Sequence, residues 1–217
     1  MSSRTTLRAR HARRQHDERG AGLVEMALIF PLLVLLVFGI FEFGMAWKSS
    51  LTVSNALRSG ARATANSGED READYNGVTA AVSAMANIDG AEVTKLVIYK
   101  SNTTNGDVPP ACLTAGAAAA GGVSSGTLTA GVRCNVYDAT DLAGLDPSDF
   151  GGTTSCLTGS LDEVWCPTGR EGGQSAVDGA DYVGVYMEVD QAFQTGLFGD
   201  GITIEDGTVM RIEPQAN

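Results

Sequence analysis

Histidine is nearly missing from this chain. Its 217 residues contain two, His11 and His16, both among the first twenty. Nucleophilic arrangements of the Ser–His–Asp or Cys–His kind need an imidazole beside the nucleophile, and the common zinc sites need imidazoles or closely spaced thiolates. The four cysteines stand 22, 22 and 10 positions apart and form no CxxC pair, which removes the usual zinc spacing. Basic residues are scarce beyond position 62: residues 63–217 hold six Lys or Arg against 22 Asp or Glu, a net of −16. Such a surface is unsuited to nucleic acid, where binding depends on cations displacing counterions. The glycine-rich stretches lack the P-loop lysine and the strand–turn–helix setting of a dinucleotide site. Asp138, Asp141, Asp146 and Asp149 cluster in "DATDLAGLDPSDFGG", but their spacing fits no calcium loop, and solvated loop acids are the simpler reading. The chain therefore reads as a non-enzyme with no catalytic residue, metal ligand or cofactor. A secreted hydrolase with a carboxylate dyad is a catalytic alternative that no motif supports.

One feature is abundant instead. Ala21 to Phe41 is a run of 21 residues with a single charge, Glu25. A helix of that length rises about 32 Å, matching a hydrocarbon core of about 30 Å; a secretory signal core is shorter, about 7–15 residues. Six arginines precede the run, at 4, 8, 10, 13, 14 and 19, and give residues 1–20 a net of +4. Lys48, Arg58 and Arg62 are the bases in the twenty residues that follow it. This bias favours a single-pass protein with a cytoplasmic N-terminus and an extracytoplasmic acidic body. Pro31 falls inside the run, where membrane helices tolerate the missing donor.

Glu25 needs a reason, because an acid in a membrane helix costs about 2–3 kcal/mol at the centre and less near the edge. It is either an interfacial carboxylate that snorkels, or the partner of an amine. Cleavage between Gly20 and Ala21 would create that amine, one helical turn from Glu25 on the same face.

"RGAGLVE" has the Gly, four residues, Glu pattern of type IV prepilin leaders, and "ERGAGLVEMALIFPLLVLLVFGIFEFGMAW…ALRSGARATA" resembles the TadE-like family more specifically. Glu18-Arg19-Gly20, Glu25, Pro31, the Gly39–Gly44 exit and the Ala/Arg-rich helix carry the likeness; Met26 departs from it, where the family often has an aromatic residue. The resemblance implies a minor pilin or pseudopilin of a tight-adherence (Flp) pilus or secretion machine. It implies processing at Gly20, Ala21 and Glu25 by a prepilin peptidase, and subunit assembly through Ala21, Glu25 and Pro31. Its partners would be the membrane, the peptidase, other pilin or pseudopilin subunits and pilus assembly proteins. An uncleaved envelope protein with a ligand- or surface-binding head is the rival.

The expected layout is a basic leader at 1–20, a transmembrane helix at 21–43, a helical stalk at 44–67 and an α+β head at 68–217. Val53, Ala56, Leu57, Gly60, Ala61 and Ala65 form a stripe at helical spacing; it packs on the head, on other subunits, or on both. A helix is expected at about 75–86 and a strand at about 92–100. "DYVGVYMEVD" and "GITIEDGTVMRIEP" read as an antiparallel pair with one buried face. The sheet head carries an irregular insertion at about 101–180 that holds 14 of the 27 glycines and all four cysteines. In an extracytoplasmic body those cysteines are expected as disulfides. Of the three connectivities, the sequential Cys112–Cys134 and Cys156–Cys166 staples each irregular loop.

Overall fold

The computed structural model describes residues 5–102, 104, 106–114, 133–151, 156, 159–172 and 179–213, with backbone alone over 5–19. Helix α1 runs Thr5–Ser67, with Pro31 inside it. The chain divides into two compact units, residues 1–45 and 46–217. The first is helical, and its apolar side chains from Leu23 onward are largely exposed, Leu23 itself by 73%.

The second unit is an α+β head, and it takes in the last turns of α1. Val53, Ala56, Leu57, Ala61 and Ala65 are buried there, so the stripe at 53–65 packs on the head, while Arg58 and Arg62 face solvent. Gly68, with φ 56°, ends α1 as its N–H donates to the Thr64 carbonyl at 3.0 Å; a residue without Cβ takes that left-handed turn at little cost. Helix α2 follows at Ala73–Met85 and buries Ala73, Asp74, Gly77, Val78, Ala81 and Met85.

The two helices meet at glycines. A Cβ on Gly60 would stand 2.9 Å from both the Ala81 Cβ and the Gly77 carbonyl oxygen, and one on Gly77 would overlap the Thr64 hydroxyl. Gly60→Val is therefore expected to destabilise the head by roughly 1–3 kcal/mol, since overpacking forces the backbones apart. Urea unfolding followed by circular dichroism checks this, with the exposed Arg62→Ala near parent stability as the control.

The sheet is antiparallel throughout and has the order β2-β1-β3-β4, from β1 (Ala91–Ser101), β2 (Cys134–Asp138), β3 (Tyr182–Ala192) and β4 (Gly201–Arg211). The two C-terminal strands pair as their alternation predicts, with Val183↔Met210 and Val189↔Ile204 in register. Val183, Val185, Met187 and Val189 join Leu96, Ile98 and the buried faces of α1 and α2 in the main core. Val97, Tyr99, Val136 and Tyr186 form a second cluster with Cys112 and Cys134. They belong to the opposite sheet face, because neighbouring residues of a strand point to opposite sides.

Within the insertion, the described residues are more ordered than the composition suggests. Helix α3 (Pro110–Thr114), strand β2 and helix α4 (Ala139–Ala143) lie there, with short 3-10 turns at Pro147–Asp149 and Pro167–Gly169. Cys112 is bonded to Cys134, tying α3 to the start of β2, and Cys156 is bonded to Cys166. Asp138 caps α4 by accepting from the N–H groups of Thr140 and Asp141, and Asp141 returns a bond to the Asp138 N–H. Asp146 likewise accepts from the Ser148 N–H. Asp138, Asp141 and Asp146 thus serve local turns. Among the described residues no group of three or more potential metal ligands occurs.

Candidate functional site

The N-terminal unit presents the residues on which function was expected to rest. Gly20, Ala21 and Glu25 lie exposed on α1. Ala21 and Glu25 are one turn apart, the spacing at which helix side chains stand above one another. Nothing lies within 4 Å of where a Cβ on Gly20 would sit. Within Gly20–Ser67 the helix has a mean hydropathy of 2.7 over its most apolar window and is long and apolar enough to cross a membrane. Pro31 removes one main-chain donor in the interior of that run.

The head contains a second constellation, which sequence reading missed. Asp74 and Arg170 form an ion pair at 2.7 Å, and both side chains are fully buried. Arg170 Nη2 also donates to Asp74 Oδ2 at 2.8 Å and to the Trp165 carbonyl at 3.0 Å. Its guanidinium lies 4.0 Å from the centre of the Trp165 ring, an attraction of cation to ring quadrupole. Asp74 Oδ2 accepts further from Asn135 Nδ2 at 2.7 Å and from the Tyr137 hydroxyl at 3.1 Å. Asn135 also clamps the Trp165 backbone, donating to its carbonyl at 3.0 Å and accepting from its N–H at 2.9 Å.

The physical sense of this cluster is mechanical. Asp74 comes from α2, Asn135 and Tyr137 from β2, and Trp165 and Arg170 from the chain beside Cys166. Leu161, Trp165 and Phe150 bury apolar surface here, and charge-assisted hydrogen bonds, roughly twice as strong as neutral ones, add to that packing. The pair thus holds the second disulfide loop against the helix and sheet. Burial is the main reason the Tyr137 hydroxyl is pushed well above its ordinary pKa, with the charges of Asp74 and Asp162 adding to it. No signal in the sequence pairs Asp74 with Arg170, 96 residues apart. Their recognisable trait, a lone acid on the buried side of a short amphipathic helix, passes for a cap.

Asp162 is buried nearby and accepts from the Gly151 N–H at 2.9 Å. Burial pushes its carboxyl above the usual aspartate range, and the charge of Asp74 pushes the same way. A raised folded-state pKa means the folded head holds a proton that the unfolded chain has lost. Stability from this group is fully present below about pH 4, the unfolded value, and is lost as pH rises through the folded one. Asp162→Asn is expected to flatten that part of the melting-temperature profile between acid and neutral pH. Parallel profiles for variant and parent would contradict this.

Among the described residues one helix, at the N-terminus, is long and apolar enough to cross a membrane, and the chain continues from it into a small α+β head. The family model of TadE-like protein matches residues 20–62. That segment, from the apolar run into the buried stripe of α1, is similar to the TadE-like family, and the remaining residues lie outside the match. No curated protein matches the chain. No solved structure matches it either.

Proposed function

We propose that this chain is a minor pilin or pseudopilin of a tight-adherence pilus or secretion machine, cut after Gly20 by a prepilin peptidase and assembled through its N-terminal helix. The observation that carries the reading is a coincidence of position. The family match begins at residue 20, where a basic leader meets an exposed apolar helix with Glu25 near its start.

Cleavage frees the amine of Ala21. An ammonium carried into apolar surroundings costs several kcal/mol unless a carboxylate accompanies it. Glu25 supplies that carboxylate to its own chain or to a neighbour shifted along the bundle. In this reading residues 1–20 stay in the cytoplasm, residues 21–43 cross the membrane and the disulfide-bonded head lies outside. Prepilin peptidase, other pilin subunits and assembly proteins are the partners, and no step requires a catalytic residue of this chain.

Intact-mass measurement and N-terminal sequencing of the protein from its native membrane test the reading. A mature chain beginning at Ala21 is the expected result. Recovery of the arginine-rich start in the assembled protein would instead identify an uncleaved anchored envelope protein.

A further inference from the structure

The head carries complementary charge on opposite sides of its sheet. On one side, α1 turns its buried stripe toward the core and leaves Arg58 and Arg62 in solvent. They are four residues apart, so their side chains project from neighbouring turns of one face. Among the described residues neither makes an ion pair.

On the opposite sheet face lies an open groove of about 570 Å³, lined by Tyr99, Asp107, Tyr186, Glu205 and Val209 among others, with no basic residue among the described residues of its lining. The groove is built around small residues. Tyr99 lies against Gly184, where a Cβ would collide with its ring, and Tyr186 stands opposite Gly207 in the β3–β4 register. The Tyr99 hydroxyl donates to the Gly106 carbonyl at 2.9 Å, holding the 106–108 segment as one wall. The Tyr186 hydroxyl bonds Glu205, which fixes one carboxylate at the opposite wall. Asp206 is engaged from the other side, accepting from Ser54 Oγ at 2.6 Å. Asp107 and Glu205 are left as the groove's acids.

We infer that this groove receives Arg58 and Arg62 of a second copy of the chain, forming a head-to-tail contact between neighbouring subunits. The choice of occupant rests on charge. Residues 63–217 carry a net of −16, so a like copy repels unless its approach is led by bases. The exposed arginine pair of α1 provides them on one face. Arginine suits this groove because its planar cation stacks on tyrosine faces and forks onto carboxylates. A patch that meets a different patch on its neighbour is heterologous, and such contacts propagate instead of closing into a dimer. Each contact is weak alone because surface ion pairs contribute little, but tethering copies in one membrane raises their effective concentration.

The proposal deepens the pilin reading, because that reading requires subunits to associate. The test is sedimentation of the full-length chain in detergent at low and high salt. Arg58→Glu/Arg62→Glu and Asp107→Lys/Glu205→Lys are each expected to weaken self-association about tenfold. Combining all four is expected to restore it, and salt to weaken it in the parent. Circular dichroism verifies that the variants are folded. The inference is overturned if the parent does not associate, if either reversal has no effect, or if the combination fails to rescue. A groove reversal that acts while the arginine reversal does not would assign the groove to some other cation, and also overturns it. The same preparations from native membranes report the N-terminal mass. An uncut leader with charge rescue intact sinks the processing reading alone, and normal cutting without rescue sinks this contact alone.

Discussion

Arg170→Met is expected to remove about 3–5 kcal/mol of the head's stability, the usual cost of leaving one member of a buried ion pair behind. Asp74 would keep the Asn135 and Tyr137 donors but lose its cation. The Trp165 carbonyl would lose one of its two side-chain donors, and the Trp165 ring its guanidinium. Domains of this kind have about 5–15 kcal/mol in total, so the change consumes a large share of the margin. Urea unfolding of the purified chain measures it. Adding Asp74→Asn to Arg170→Met removes the stranded charge and is expected to recover part of the loss. A loss below about 1 kcal/mol in Arg170→Met, the range of exposed pairs, would show that water reaches the pair and that the cluster is not a clamp.

Glu25→Leu is expected to separate anchoring from assembly. Removing an acid from the apolar run favours membrane residence, because the acid itself costs up to about 2–3 kcal/mol there. If the carboxylate neutralises the Ala21 amine, however, the subunit enters the bundle with an uncompensated charge. The fraction recovered with pilus components is then expected to fall more than about tenfold, a change equivalent to about 1.4 kcal/mol or more. Glu25→Gln tests charge against shape and should behave like the leucine variant. Quantifying both variants in membrane and assembled fractions decides the matter. Equal incorporation of parent and Glu25→Leu would end the proposed role for this acid, whatever the fate of the leader.

Strands β3 and β4 were legible from their alternation, although the structure buries both faces of β3 over residues 183–187 and leaves most of β4 exposed or half-buried, not one clean buried face on each. Period-two alternation of Val183, Val185, Met187 and Val189 survives only where a core demands it. The stripe Val53–Ala65 was legible for the same reason at helical period, and the structure directs it onto the head itself. Strand β2 left a weak trace: it is five residues long, and its first four, Cys134 to Tyr137, are all buried, so no alternation marks it. The acids at 138, 141 and 146 read as loop acids, and the structure gives them capping roles that depend on two- and three-residue offsets.

What the chain determines by itself is periodic or local. The membrane-length apolar run, the charge step around it, the Gly20–Glu25 spacing and the strand alternation are properties of neighbours in sequence, and nearest-neighbour physics suffices to read them. What only the tertiary structure decided is which distant polar groups meet. Asp74 finds Arg170 across 96 positions, the Trp165 ring covers the guanidinium, and Asp107 and Glu205 come to face one groove. No periodicity records these pairings, because each is made by the closure of the fold and is stabilised only after water has been excluded from it.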